Sequence, residues 1–186
     1  MAQMIALRPN GFPVSRGDPF QTLARSIVGQ QLSVKAAQTI WERFAAKAGE
    51  MTPQRVGKMR VTTMRPCGLS ARKAEYLKDL AAHFIAGTIA PDRWKNLEDQ
   101  AVIDELVMVK GVGRWTAQMF LIFNLLRPDV FPVDDIGLLN ALGHAYNKGT
   151  RVDQDQALEL GALWQPWRTV ATWYLWRSLE PVPVEY

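Results

Sequence analysis

The chain has 186 residues, of which 48% are hydrophobic, and its 22 basic and 18 acidic residues leave a formal net charge of +4. This length and apolar content suffice for one core or two closely coupled lobes, which excludes global disorder and two full-size independent domains. No apolar run approaches the roughly 20 residues that cross a bilayer, and the first residues lack the pattern of a secretory signal. We therefore expect a soluble, cytoplasmic protein with at most a mild preference for polyanions.

The cysteine content limits the chemistry available to the chain. Cys67 is its single cysteine, which excludes an internal disulfide, a cysteine-based zinc finger and a four-cysteine iron–sulfur cluster. Any catalytic chemistry must therefore use other groups.

Helical spacing begins after the first 19 residues, which mix Pro, Gly and Arg without a period and predict an irregular arm. From there, apolar residues recur every three or four positions behind residues suited to a helix N-cap. These predicted helix starts lie at Asp18, Ser33, Thr52, Ser70 and Asn96.

The C-terminal half continues the same pattern. Residues 114–126 are apolar almost all round, which predicts the most buried helix, and further helices are predicted from 134, over 154–160 and over 166–179. No stretch alternates with a period of two for long enough to form a sheet. The predicted fold class is all-α, with about ten short helices.

The string LVMVKGVGRWTAQMF places Gly111 and Gly113 between an amphipathic helix and the buried one. Residues without side chains let backbone N–H groups approach a phosphate closely, and the following helix offers its positive end to the same anion. A tight turn in which the glycines merely supply positive φ is the simpler alternative. Leu106 before the glycines and Thr116 after them favour a helix-hairpin-helix that binds the DNA backbone.

The string VFPVDDIGLLNAL delivers two adjacent carboxylates to the start of the next helix. A single Asp at such a place is usually an N-cap, but two exceed what capping requires. We expect Asp134 to cap the helix and Asp135 to project elsewhere from its first turn, where the positive helix end stabilises a carboxylate. Near DNA, that group could stabilise positive charge on a sugar, or orient and deprotonate water.

The hairpin followed about twenty residues later by this aspartate resembles the HhH-GPD superfamily of base-excision DNA glycosylases. Within it the chain is most similar to the alkylpurine, DNA-3-methyladenine glycosylase II (AlkA-like) branch. The stretches SIVGQQLSVKAAQTIWERF, GLSARKAEYLKDLA and WQPWRTVATWYLW carry the resemblance over the chain beyond about residue 18.

The resemblance implies one glycosylase unit over residues 1–186, with a two-lobed helical fold and the active-site cleft between the lobes. Lobe one would span about 20–130 and include the helix-hairpin-helix at 106–117. Lobe two would comprise 131–186 and the N-terminal arm, 1–19.

It also implies a monofunctional glycosylase that hydrolyses the N-glycosidic bond of alkylated purines, such as 3-methyladenine and 7-methylguanine, and leaves an abasic site for base excision repair. The family's catalytic aspartate aligns with Asp135, and with Asp134 if the register shifts by one. Strand-cleaving relatives carry a nucleophilic lysine at the position of Trp115. Because an indole forms no Schiff base, we expect no lyase activity.

Trp115 and Trp176 match the family's base-pocket tryptophans. An N-alkylated purine is cationic, so an indole face would hold it by stacking and cation–π attraction, worth roughly 0.5–2 kcal/mol per contact. Core packing is the expectation for Trp164, Trp167 and Trp173. Both roles stay open for Trp41 and Trp94.

For DNA contacts, the resemblance points to the amides near Gly111 and Gly113, to Arg114, and to Gln31 at the family's intercalating position. Gln31 could fill the gap left by an extruded base, or it could be an exposed helix end together with Gln30. Candidate phosphate contacts are Arg72, Lys73 and Arg168.

The expected partner is double-stranded DNA with alkylated bases, bound by a monomer at the nucleoid. No cofactor is required. The family often has a structural Na⁺ or K⁺ at the hairpin, held by main-chain oxygens that map to Val107, Val109 and Gly111.

Two other functions fit the same residues. One is a glycosylase for another damaged base, with strand nicking if an amine attacks the sugar. The other is a non-catalytic helix-hairpin-helix protein that binds DNA, against which Asp135 and the two pocket tryptophans argue.

Overall fold

The computed structural model describes residues 1–7 and 13–179. Within these ranges it contains α-helices and one short 3₁₀ segment but no β-strand, which confirms the predicted all-α class. Across the same residues, no helix combines the length and the apolar character needed to span a membrane.

The first seven helices are α1 (Ala2–Leu7), α2 (Pro19–Gly29), α3 (Val34–Ala48), α4 (Pro53–Lys58), α5 (Val61–Met64), α6 (Ala71–Ala86) and α7 (Pro91–Trp94). The remaining ones are α8 (Asp99–Leu106), α9 (Arg114–Phe123), α10 (Ile136–Tyr146), α11 (Gln154–Ala162) and α12 (Arg168–Leu179).

The chain divides into two compact units. One comprises residues 16–117, and the other comprises the described parts of 1–15 and 118–184. The division lies inside α9, whereas the lobes expected from the sequence divide at about 130. Residues 116–122 of this helix are all buried, which agrees with the prediction from its apolar sequence.

In the 16–117 unit, capping residues begin the helices as predicted. The side chains of Asp18, Ser33, Thr52 and Ser70 each accept a hydrogen bond from the backbone N–H three residues later. The apolar faces behind these caps form a core in which full burial of one large side chain contributes about 1.5–3 kcal/mol. Its members include Phe20, Leu23, Ile27, Phe44, Val56, Leu77 and Leu80.

The second unit is built around α10. One face of this helix packs with residues of α11 and α12 in a buried cluster comprising Phe131, Leu138, Leu139, Ala141, Leu142, Val152, Ala157 and Leu175. Trp164 packs against this cluster and its ring meets those of Phe131 and Tyr146, which confirms its structural role. The start of α10 is thereby fixed by a well-packed core.

Three predictions from the sequence are wrong. Residues 2–7 form a helix rather than an irregular arm, because Met1 and Met4 pack on the cluster around α10; part of the predicted arm, 8–12, lies outside the described residues. Asn96 does not begin a helix, since α8 starts at Asp99 behind Glu98, which makes no side-chain cap. Trp167 is 61% exposed and is not a core residue.

Candidate active site

Asp135 lies at the junction of an extended segment and α10. Its backbone N–H donates to Pro132 O at 2.9 Å, which turns the chain immediately before the helix. Asp135 is the N-cap, and its Oδ1 accepts the N–H of Leu138 at 2.7 Å. The side chain of Asp135 is 7% exposed, so this carboxylate is held at the positive end of a helix and largely away from water.

The helix is capped by Asp135 and not, as expected from the sequence, by Asp134. Asp134, which the sequence suggested as the cap, is exposed and accepts a hydrogen bond from Gln154 Nε2 at 2.8 Å. The helix begins one residue later than predicted, at Ile136, so the cap position falls on Asp135. One carboxylate therefore both caps α10 and lies buried at its mouth.

Trp176 on α12 meets Asp135 directly. Its indole Nε1–H donates to Asp135 Oδ1 at 2.9 Å, and its ring stacks on Phe123 with centroids 5.9 Å apart and an interplanar angle of 18°. Gly137 lies beside this pair, and a Cβ there would be 3.0 Å from Asp135 Oδ1, a tight contact, and 3.6 Å from Trp176 Nε1, an ordinary one. The sequence pointed to Asp135 and Trp176 separately, and the structure joins them.

A second anchor fixes the segment that leads to Asp135. Arg168, at the start of α12, donates from Nε and Nη2 to Asp129 at 2.8 Å each, and its backbone N–H donates to the same carboxylate at 3.1 Å. The hydrogen bond from the Arg168 side chain holds the pKa of Asp129 below its usual value. Arg168, a candidate phosphate contact from the sequence, forms this ion pair within the protein.

The helix-hairpin-helix is formed by α8, a turn and α9, as predicted. Gly111 has φ of +83°, and a Cβ at this position would overlap the Tyr76 ring. At Gly113 an added Cβ would meet no atom within 4 Å, and its φ is not positive. The simpler interpretation, that the turn itself requires glycine, therefore explains Gly111. It does not explain why residue 113 is glycine.

Helix α6 holds the hairpin turn in place. Asp79 Oδ2 accepts the backbone N–H of Lys110 at 2.8 Å, while the Tyr76 ring lies against Gly111. Gln30 Nε2 donates to Gly111 O at 2.7 Å. Tyr76 and Asp79 were not predicted from the sequence, because nothing in their local spacing distinguishes them from other residues of an amphipathic helix.

Three main-chain oxygens, of Val107, Val109 and Gly111, were expected to hold a monovalent cation. Val109 O accepts the N–H of Val112 at 3.0 Å, and Gly111 O accepts the Gln30 amide. A carbonyl oxygen has two lone pairs, so these bonds leave each oxygen a further position. Main-chain carbonyl oxygens are ligands that a monovalent cation accepts, and an ion held here would share the Gly111 oxygen with Gln30.

The remaining predicted site residues lie in the 16–117 unit. Trp115 is half-buried in the first turn of α9, beside exposed Arg114, whose Nη2 donates to Gln100 Oε1 at 3.0 Å. Gln31 is exposed and has φ of +59°. Trp94 is buried and donates to Glu105 at 2.8 Å, which resolves one of the two open tryptophans in favour of packing.

Comparison with known proteins identifies the class. The profile of the HhH-GPD superfamily base excision DNA repair proteins matches residues 24–168. The match covers well over half of the chain, and this protein belongs to that superfamily.

The relatives that the chain matches include DNA-3-methyladenine glycosylases. The chain is 35% identical over 175 residues to DNA-3-methyladenine glycosylase 1 of Schizosaccharomyces pombe, covering 92% of this chain and 76% of the relative. The solved structure of the S. pombe 3-methyladenine DNA glycosylase Mag1 in complex with abasic DNA superposes with a TM-score of 0.82 at 34% identity, over 95% of this chain and 89% of that one. A DNA-3-methyladenine glycosidase from Bacillus halodurans gives a TM-score of 0.87 at 35% identity, over 95% and 82%.

Proposed function

We propose that this protein is a monofunctional DNA glycosylase that hydrolyses the N-glycosidic bond of alkylated purines, of the 3-methyladenine and 7-methylguanine type, and leaves an abasic site. The observation that carries this proposal is the buried carboxylate of Asp135, oriented by two N–H donors. The names of the relatives, which are DNA-3-methyladenine glycosylases, support the substrate class.

The chemistry follows from the leaving group. An N-alkylated purine carries a positive charge, so the electron pair of the breaking C–N bond neutralises it as the base departs. Positive charge then develops on the sugar, and a fixed carboxylate stabilises it without having to reorganise. Water attacks the anomeric carbon and passes its proton to Asp135.

Asp135 is favoured over Asp134 for this role by its surroundings. Asp134 is exposed, where water screens its charge, whereas Asp135 is 7% exposed. Electrostatic interactions strengthen as water is excluded. The bonds from Leu138 and Trp176 also fix the plane of the Asp135 carboxylate, which matters for placing water.

The indoles of Trp176 and Trp115 are each proposed to offer a stacking face to the alkylated base. A cationic purine stacks on such faces without many specific hydrogen bonds. Trp115 offers no amine to the sugar, which supports hydrolysis by water over lyase chemistry.

The hairpin is proposed to bind the DNA backbone. Gly113 is exposed and has no packing neighbour that requires glycine, which fits close approach by a phosphate to the amides at the start of α9. Arg114 would add a charge contact, and Gln31 would enter the gap left by the extruded base. A monovalent cation on the oxygens of Val107, Val109 and Gly111 would supply further positive charge beside the phosphate. The protein is proposed to act as a monomer on double-stranded DNA.

The test is chromatography of the bases freed from methylated duplex DNA by the wild type, by Asp135→Asn and by Asp134→Asn. Asn at 135 still accepts the Leu138 N–H but carries no charge, so base release should be lost while affinity for abasic DNA is kept. Asp134→Asn should release bases at the wild-type rate.

Other outcomes would overturn the proposal. Full activity of Asp135→Asn refutes the assigned residue, and strand nicking without alkali or heat refutes hydrolysis by water alone. Release of a different damaged base, or DNA binding with no release at all, would support one of the two other functions that the sequence allowed.

A further inference from the structure

Residues 29–32, here called the Gln31 turn, connect α2 to α3. The Leu32 N–H donates to Gly29 O at 3.2 Å, Gln30 has φ −53° and ψ 131°, and Gln31 has φ +59°. These values match a type II β-turn, whose third residue is normally glycine because its φ is positive. Gln31 holds this conformation at an energetic cost, so surrounding contacts must maintain it.

Lys73 supplies such a contact from α6. Its Nζ donates to Val28 O and to Gln30 O, at 2.7 Å each. The Gln30 carbonyl belongs to the central peptide of the turn, and type I and type II turns differ by a flip of that peptide. Holding Gln30 O therefore selects the type II form and, with it, the left-handed conformation of Gln31.

The same turn is tied to the hairpin. The side chain of Gln30 donates to Gly111 O at 2.7 Å, across 81 positions of sequence. Lys73 is half-buried, and this burial lowers the pKa of its ammonium group. The Gln31 side chain, by contrast, is exposed. The Gln31 turn is thus held by Lys73 and by the side chain of Gln30, and it presents the amide of Gln31 to solvent.

We propose that Lys73 is a positioning residue for base extrusion, which fixes the Gln31 turn so that the Gln31 side chain enters the gap in the duplex. This inference rests on the proposed function, since it takes Gln31 as the inserting residue. Lys73 itself then has no need to touch DNA, although the sequence suggested it as a phosphate contact.

Helix α6 provides a matched control. Lys78 Nζ donates to Gly57 O at 2.7 Å and to Met59 O at 3.0 Å, at the end of α4. Lys73→Met and Lys78→Met therefore remove the same kind of contact, a half-buried ammonium on two carbonyls, from the same helix. The two variants should lose similar thermal stability, and a difference in DNA behaviour reports on the Gln31 turn.

The experiment uses a duplex with a tetrahydrofuran abasic-site analogue opposite 2-aminopurine, whose fluorescence changes when a side chain enters the gap. Gln31→Ala should abolish the insertion signal at saturating protein. Lys73→Met should also lose it, with affinity falling about tenfold as the strained conformation is released. Lys78→Met should keep the wild-type signal, and Lys73→Arg, which retains donors, should restore part of it.

A double variant distinguishes positioning from general damage. If Lys73 acts through Gln31, Lys73→Met in the Gln31→Ala background should weaken binding no further. Equal signals in Lys73→Met and Lys78→Met, or additive losses in the double variant, would overturn the inference. Should Lys73→Met not fold, Lys73→Leu and Lys78→Leu replace the pair in the same comparison.

The readout is independent of the reaction. A wild type that inserts Gln31 but frees no base from methylated DNA would refute the proposed function and leave the role of Lys73 standing. A wild type that frees bases but gives the same fluorescence as Gln31→Ala would refute the inference alone.

Discussion

The indole N–H of Trp176 and the backbone N–H of Leu138 converge on one oxygen of Asp135, at 2.9 and 2.7 Å. The first donor comes from α12 and the second from the first turn of α10. A carboxylate held from two helices is oriented before any substrate arrives, and such preorganisation is the basis of electrostatic stabilisation of charged transition states.

Trp176→Phe should lower single-turnover base release about tenfold, since a hydrogen bond to a charged group contributes roughly 1.5 kcal/mol or more. Phe retains a ring that can stack on Phe123 but has no N–H for Asp135. Base release from methylated duplex, measured with enzyme in excess, tests this. Trp167→Phe, at a position 61% exposed, is the control and should keep the wild-type rate.

Gly137→Ala should impair base release without destabilising the fold. Alanine is favoured over glycine in a helix by about 1 kcal/mol, but its Cβ would lie 3.0 Å from Asp135 Oδ1 and would push the carboxylate from its position. Thermal unfolding and base release measured on the same samples test this. Gly57→Ala in α4, where the nearest contact is the flexible end of Ile85, should leave base release unchanged. A fully active Gly137→Ala would contradict the close fit at Asp135.

The two hairpin glycines should respond differently to alanine. Gly111→Ala should destabilise the protein, by about 1–3 kcal/mol, because alanine there is strained and meets the Tyr76 ring. Gly113→Ala should leave the unfolding temperature near that of the wild type and weaken binding to abasic duplex, since its Cβ would point into the space proposed for phosphate. Thermal melts and DNA titrations at one fixed salt concentration distinguish the two. Unchanged binding by Gly113→Ala would remove the main support for the phosphate site.

The Asp129–Arg168 pair should make stability depend on pH. The pKa of Asp129 is lowered by its hydrogen bond with Arg168, so its contribution is present above the ordinary value of about 3.9 and is lost as the pH falls through the lowered value. Asp129→Asn should cost about 1–2 kcal/mol at pH 7.

Urea unfolding between pH 7 and pH 3 measures this dependence. The difference between the wild type and Asp129→Asn should shrink toward the acid end. Asp104→Asn, at an exposed position on α8, should show little difference at any pH. A constant difference across the range would show that the charge of Asp129 is not what stabilises the pair.

Helix starts were accessible from the sequence because a cap and its helix lie within a few residues of each other. Ser33 and Ser70 were identified in this way. The start of α10 was misplaced by one residue, since either aspartate satisfies the capping rule locally. The turn from Pro132 to Asp135 decides between them, and it depends on how the preceding segment is anchored.

By itself, the sequence determined the all-α class and the hairpin glycines, because these rest on spacing and residue type, and its resemblance to the glycosylase superfamily marked Asp135 and Trp176 as candidates. The tertiary structure decided their contacts. Trp176 reaches Asp135 across 41 positions and Lys73 reaches Gln30 across 43, and both pairs depend on how distant helices pack. Helix packing sums many weak apolar contacts along the whole chain, so no local pattern encodes which polar groups it will bring within hydrogen-bonding distance.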